Sequence, residues 1–560
     1  MTHPLAEMLS QAESLIAAGR GTVDKALSFV KKECSENGKV SAAKLDEYQL
    51  VSYELAYCAA ELGSAETMVT YAARVRTEKG GQDALLEERL ALVVVAEALK
   101  NCLTRLSTRR SDYGLSKDDL AQSFDSDAAE SFYSACLKSQ DLAALGKSLI
   151  ELNGVTGEYL LEDEKVMMQD TFRPFAADVV APLAEEIHRQ DLDIPDEIIK
   201  PLVELGCFGL SIPMAYGGLQ PDDKEDNLGM IVVTEELSRG SLGAAGSLIT
   251  RPEIMSRALL KGGTEEQKQH WLPKLAEANP LCAVAVTEPN YGSDVASMKL
   301  KATKTDGGWL LNGAKTWCTF GGKAGVLLTL ARTNPDASLG HRGLSMFLVE
   351  KPSTPGHEID VKQDGGGSLT GKAISTIGYR GMHSFDLFFD NYFVPDSHLL
   401  GGPEGEGNGF YYTMAGFAGG RIQTAARATG VMQAAYEKAI AYSQEREVFG
   451  KPIGDYQLTL VKIARMAAWL TSSRQFTYGV ARLMDEGKGQ MEASLVKLIT
   501  CKTSEWLCRE AMQIHGGMGY AEETPVSRYF IDARVLSIFE GAEETLALKV
   551  IARNLIENAA

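Results

Sequence analysis

The chain has 560 residues, of which 45% are hydrophobic and 23% charged. That is too long for one core and too apolar for disorder, so several packed domains are expected. A formal charge of −19 argues against nucleic acid or an anionic membrane as the main partner. The nine cysteines form no C-x-x-C pair and the eight histidines are dispersed, which predicts free thiols in a reducing, cytoplasmic setting and no metal site. No apolar run approaches the roughly 20 residues of a membrane span, and the start "MTHPLAEMLSQAESL" has no secretory pattern.

Residues 1–152 carry apolar positions at three-to-four spacing with few breakers, as in "ALLEERLALVVVAEALKNCLTRL", and predict a helical N-terminal extension. Residues 153–278 continue in helical style. The texture then changes. Across 279–402 the runs are short, apolar or alternating ("LCAVAVTE", "GVLLTLAR", "GLSMFLVE") and separated by turn signals such as "QDGGGS", which predicts a β domain. Helical patterning returns over 403–560. One internal similarity stands out. With Tyr48 laid on Tyr456, 13 of 35 positions to Gln82 and Gln490 are identical without a gap. The extension therefore reads as a degenerate copy of part of the C-terminal helical bundle.

Five segments suggest chemistry. "AVTEPNYGSDVASM" offers Thr287, Gly292 and Ser293 on a strand-to-loop corner, where hydroxyls and backbone N–H groups can meet a planar heterocycle. In "NGAKTWCTFGGKAG", Trp317 and Thr319 are two apart and should share a strand face, which fits a wall for a redox ring or a core tryptophan. "QEREVFGKPIGDYQ" ends a helix at Arg446, suited to a pyrophosphate, before a break at Phe449 and Gly450. "QIHGGMGY" is a helix end whose bare backbone at Gly516 and Gly517 admits a ligand. "SIFEGAEET" sets Glu540 in a bend between Phe539 and Gly541; an isolated F-E-G is as consistent with an ordinary turn.

Taken in order, these segments resemble the acyl-CoA dehydrogenase family from about residue 160 to the end. The resemblance implies an α+β fold: a helical domain, a β-barrel-like domain and a C-terminal four-helix bundle, here with the helical extension added. It implies FAD as cofactor, an acyl-CoA substrate, electron-transferring flavoprotein as acceptor and a homo-oligomer. By that analogy Thr287, Gly292, Trp317 and Thr319 line the flavin, and Ser293 contacts flavin or the pantetheine arm. Arg446 and Phe449 reach the FAD of a neighbouring subunit, Gln513 and Gly517 meet the adenosine diphosphate end of FAD, and Gln457 and Gly516 are further FAD contacts. Ala542 and Glu544 stand where the family usually has threonine and glutamine near FAD.

Glu540 matches the family's catalytic base, which takes an α-proton while a hydride leaves the β-carbon. Burial beside Phe539 and an apolar substrate suits such a base. The family's alternative base position is Gly420 here, so Glu540 is left alone. Arg251 as a cation and the width left by Ala418, Gly419 and Gly420, with Arg421 beside them, suggest a short, branched dicarboxylic acyl-CoA. The extension, with "MAGFAGGRIQTAARATG" and "GAEETLALKVIARNL", is similar to the sub-family that converts (2S)-methylsuccinyl-CoA to mesaconyl-CoA in the ethylmalonyl-CoA pathway. A medium-chain or glutaryl-type dehydrogenase, a flavin oxidase of the same fold and a catalytically silent scaffold stay open at this point. A dimer is expected over a tetramer, because the extension repeats the bundle that would pack a second dimer.

Overall fold

The computed structural model describes residues 4–81 and 83–560; Gln82, the last position of the internal match, lies outside them. The chain forms two compact units, one of residues up to Val166 together with Thr424–Ala560, the other of Met167–Gln423.

The elements used below are labelled in chain order. In the extension α1 is Pro4–Cys34, α2 Gln49–Lys79 and α3 Leu85–Ser107. In the second unit α4 is Thr250–Gly262, and the strands are β1 Cys282–Ala285, β2 Lys301–Thr305, β3 Gly308–Thr319, β4 Val326–Arg332, β5 Leu344–Glu350, β6 Glu358–Lys362, β7 Ser368–Ala373 and β8 Ser384–Pro395. Towards the C-terminus α5 is Gly420–Glu445, α6 Gln457–Asp485, α7 Gln490–Ile514 and α8 Val526–Val535.

Among the described residues the first unit is helical, as its spacing predicts, apart from two short ladders, Ser35–Glu36 with Lys39–Val40 and Glu447–Val448 with Lys451–Pro452. The repeat is visible in three dimensions. Both α2 and α6 start one residue after the matched tyrosines, Tyr48 and Tyr456, and both lead through a glycine-containing turn into a second helix. The α2–α3 hairpin packs on the α6–α7 hairpin: α2 meets α6, and the pairs α2–α7 and α3–α6 both form. Such exchange of partners is what two related copies make about a two-fold axis. Glu97 of α3 anchors it, accepting from Trp469 Nε1 at 2.7 Å and from Arg465. The stretch "SRYFIDARVL" resolves as helix α8.

The second unit is built on one eight-stranded curled sheet in the order β1-β4-β2-β3-β8-β7-β6, with β5 on the other side of β4. β4 pairs in parallel with β1 and β2, and the remaining pairs are antiparallel. β4 and β5 are buried along almost their whole length, which explains their unbroken apolar runs "VLLTLA" and "LSMFLV". β6 alternates exposed and buried, as an edge strand with one wet face should. One face of the sheet curls around Leu311, Cys318, Leu327, Phe347, Phe385 and Leu387. The other packs on α4 and the helix Glu265–Ala276 through Met255, Leu259, Trp271 and Leu275.

Candidate active site

Glu540 lies just after α8, in a seven-residue loop closed by the Glu543 N–H donating to the Ser537 carbonyl at 3.0 Å. Its φ is 54° and that of Gly541 is 98°. A glutamate in the left-handed region is strained and persists only where its surroundings over-determine it. They do so here. Lys497, buried in the middle of α7, donates through Nζ to the carbonyls of Phe539 at 2.8 Å and Gly541 at 2.5 Å, one on each side of Glu540. Ser537 Oγ donates to Glu505 at 2.5 Å. The Arg427 guanidinium lies over the Phe539 ring, 4.9 Å from its centroid. The result is a half-buried carboxylate on a fixed backbone, able to take a proton from a bound molecule. Lys497 escaped the sequence reading, and its one signal was a lysine inside the apolar run "SLVKLIT".

In the same unit the rings of Tyr442 and His515 stack with centroids 4.3 Å apart, which brings together the last turns of α5 and α7. Arg446 follows the first; Gln513, Gly516 and Gly517 close the second. All four are exposed, and a Cβ on Gly516 or Gly517 would meet no atom within 4 Å. The turn after Arg446 leaves Phe449 98% exposed, with Gln457 exposed at the start of α6.

In the second unit the Thr316 N–H of β3 donates to the carbonyl of Thr287, just past β1, at 2.9 Å. The two-residue spacing of Trp317 and Thr319 does not place them on one face as expected. The β3–β8 register shifts between Phe385 and Leu387, opposite Cys318 and Lys315, and this bulge contains Trp317 at φ 56°. A bulge re-aims a side chain. Trp317 is 55% exposed and is no core residue, while Thr319 is 9% exposed and shares a hydrogen bond with Ser384 at 2.9 Å. Gly292 and Ser293 are both exposed on the turn that follows Thr287. A buried ion pair that sequence reasoning passed over holds this turn. Glu288 accepts from the Lys299 and Leu300 N–H groups, each at 2.7 Å, and from Lys315 Nζ at 2.9 Å.

The segment expected to wall the substrate lies against α4. A Cβ on Gly419 would stand 2.0 Å from Glu253 Oε1 and 3.1 Å from Arg257 Nε, so only glycine fits. Arg257 is paired with Glu253 at 3.0 Å and Glu225 at 2.8 Å and donates to Asn227 at 2.7 Å. With two carboxylates it is a neutralised, structural cation. Arg251 is 7% exposed and lines a narrow apolar cleft with Phe208, Leu248, Leu281, Cys282 and Phe320. Gly420 opens α5, and burial pushes the pKa of the adjacent Arg421 guanidinium down.

Among the described residues, Asp191, His357 and His383 have potential metal-ligand atoms within 4.8 Å of one another. His383 Nδ1 lies 3.1 Å from Asp193 and Nε2 3.1 Å from Asp191. Burial opposes its charge, but the two carboxylates outweigh this and its pKa is raised. Both ring nitrogens of His383 thus face a carboxylate oxygen. All nine cysteines are free and buried, and among the described residues no helix is long and apolar enough to cross a membrane.

The chain belongs to the acyl-CoA dehydrogenase family: residues 162–279, 283–392 and 407–556 match the models of its N-terminal, middle and C-terminal domains. The (2S)-methylsuccinyl-CoA dehydrogenase of Cereibacter sphaeroides is 37% identical over 567 aligned positions, covering 99% of each chain. A 2-methylacyl-CoA dehydrogenase of Solanum tuberosum is 36% identical over 71% of this chain and 92% of its own. A glutaryl-CoA dehydrogenase solved with glutaryl-CoA superposes with a TM-score of 0.64 at 32% identity, over 71% of this chain and 96% of that one. FAD is the cofactor of the family, and each unit offers groups that fit it. One has an exposed indole on a bulged strand; the other has an exposed arginine near bare glycine backbone.

Proposed function

We propose that the protein is an FAD-dependent dehydrogenase that converts (2S)-methylsuccinyl-CoA to mesaconyl-CoA. The observation that carries the substrate is the alignment with the Cereibacter enzyme. It runs through the extension over 99% of both chains, whereas the Solanum enzyme aligns with 71% of this one.

Glu540 takes the α-proton, and its own backbone N–H donates to the developing enolate oxygen. FAD would supply the acceptor for the hydride that leaves the β-carbon. Trp317, Thr287 and Thr319 would hold the flavin ring, with Gly292 and Ser293 supplying the turn beside it. Arg446, Phe449, Gln457, Gln513, Gly516 and Gly517 would hold the rest of the cofactor, the first two reaching it from a partner subunit. Phe539 and Gly541 shape the α-carbon's surroundings, and the small Gly420 leaves room for the methyl branch. Arg251 receives the free carboxylate, with Arg421 nearer the CoA channel. Electrons leave to electron-transferring flavoprotein. The four-segment division at 152, 278 and 402 is kept as the working domain map.

The test is bleaching of the bound flavin by a panel of acyl-CoAs. (2S)-Methylsuccinyl-CoA is expected to bleach it fastest; a faster response to butyryl-, isovaleryl- or glutaryl-CoA overturns the substrate. Glu540→Gln preserves volume and should keep flavin while slowing bleaching by about 100- to 10,000-fold. Substantial reduction in that variant removes Glu540 as the base.

A further inference from the structure

We propose that the N-terminal extension is a working part of the active site: Tyr53 and Tyr57 of α2 grip Glu543 and so fix the loop that carries Glu540. They are positioning residues, and the inference rests on the reading of Glu540 as the base.

The two phenols lie on one carboxylate oxygen. Tyr53 donates to Glu543 Oε1 at 2.5 Å and Tyr57 to the same atom at 2.7 Å, across nearly 500 residues of sequence. Their rings are 5.0 Å apart, and Tyr57 is only 2% exposed. The Arg105 guanidinium, 4.5 Å from the centre of the Tyr57 ring and 2.5 Å from Glu54, braces that side chain from behind. Hydrogen bonds to an ionised acceptor are short and about twice as strong as neutral ones. Glu543 is such an acceptor. Burial alone would raise its pKa, but the bonds from Tyr53 and Tyr57 and the charges of Lys502 and Arg534 hold it below the usual range. Burial and the same carboxylate push the Tyr53 phenol up to about 12. Donors and acceptor thus keep their roles across the whole neutral range, and the clamp is permanent.

Its position gives it a task. Glu543 closes the loop: its N–H bonds to Ser537, and it opens the next helical turn, Glu543–Thr545. The Ser537 end is tied to Glu505 and the interior to Lys497. The remaining end is tied by the extension. Glu540 sits in the left-handed region within this span and needs all three ties to stay there. A base displaced by about 1 Å loses on the order of 100-fold in rate. The extension also holds the chain beyond the loop, through Asp46 on Lys549 at 2.5 Å and Lys31 on the Ala559 carbonyl at 2.5 Å.

The experiment uses the full-length holoprotein. Tyr53→Phe, Tyr57→Phe and the double variant remove hydroxyls and keep the rings. Flavin reduction by (2S)-methylsuccinyl-CoA is followed by stopped flow, per bound flavin, with unlabelled and α-deuterated substrate. The double variant is expected to reduce its flavin at least 10-fold more slowly at saturation, with KM within about two-fold and a larger isotope effect, because proton abstraction is what a misplaced base slows. Glu543→Gln, which keeps an acceptor for the phenols, should retain more activity than Glu543→Ala. A double variant with the wild-type rate and isotope effect overturns the proposal. So does one that loses flavin or thermal stability but reduces its remaining flavin normally. Should the double variant fail to fold, Tyr53→Phe, at the more exposed position, decides by the same criteria. Glu540→Gln run alongside separates the two ideas. If it still reduces flavin, the base assignment has failed. If it is inactive while the tyrosine variants behave as wild type, only the clamp has failed.

Discussion

Lys315 Nζ lies 2.9 Å from Glu288 Oε1, and no part of Lys315 reaches solvent. Burial pushes the ammonium's pKa down and the Glu288 charge opposes it. Breaking a buried pair strands the other charge, at about 3–5 kcal/mol. Lys315→Met should therefore destabilise the protein by that order. It should also loosen the turn from Thr287 to Ser293, lowering flavin content. Lys304→Met, which removes the exposed partner of Asp396, should change stability by about 0–1 kcal/mol. Denaturant titration with flavin absorbance checks both, and comparable losses in the two variants would contradict the argument.

His383 gives a pH dependence with a definite sign. Its folded pKa is raised above the ordinary 6.5 because Asp193 and Asp191 outweigh its burial; Arg380, His357 and Lys323 are the other charged or titratable groups around the cluster. A raised folded pKa means that the folded state binds more protons between the two values. The stabilisation is therefore complete below about 6.5 and is lost as pH rises through the folded value. Asp193, whose pKa is lowered, acts only in the acid range and does not reverse this. Unfolding free energy should fall from about pH 6.5 upward in wild type. His383→Gln should flatten that slope. An unchanged slope in the variant would assign the dependence elsewhere.

Much of the architecture was legible because its signals are local. Unbroken apolar runs gave the buried strands, and the F-E-G bend gave the turn at Glu540. What stayed hidden depends on partners distant in sequence. Lys497 bonds to carbonyls 42 and 44 residues away, and nothing in a lysine's immediate neighbours reports that. Tyr53 and Tyr57 read as helix residues until Glu543 is seen beside them. Trp317 failed differently: alternation along a strand assumes an unbroken register, and the bulge opposite Phe385 and Leu387 breaks it.

The packing of the α2–α3 hairpin on the α6–α7 hairpin bears on assembly. A surface already covered by a related copy is not open to a second dimer. The full-length protein should be a homodimer by light scattering at all working concentrations. A tetramer mass would show that the extension leaves that surface free.

The last prediction concerns Arg251. A carboxylate leaving water needs a cation or several donors, and arginine's planar fork suits it. Arg257, also on α4, already carries Glu253 and Glu225 and has no charge to spare for a third carboxylate. Arg251 is buried and lies beside Phe208, Leu248 and Phe320. Arg251→Met should weaken (2S)-methylsuccinyl-CoA by about 2–5 kcal/mol, the cost of leaving one charge of a buried pair without its partner. Neutral butyryl-CoA should be spared or improved. The comparison is made by titrating both acyl-CoAs against flavin bleaching in wild type and variant. Equal losses on the two substrates would mean that Arg251 supports the packing of α4 and does not read the carboxylate.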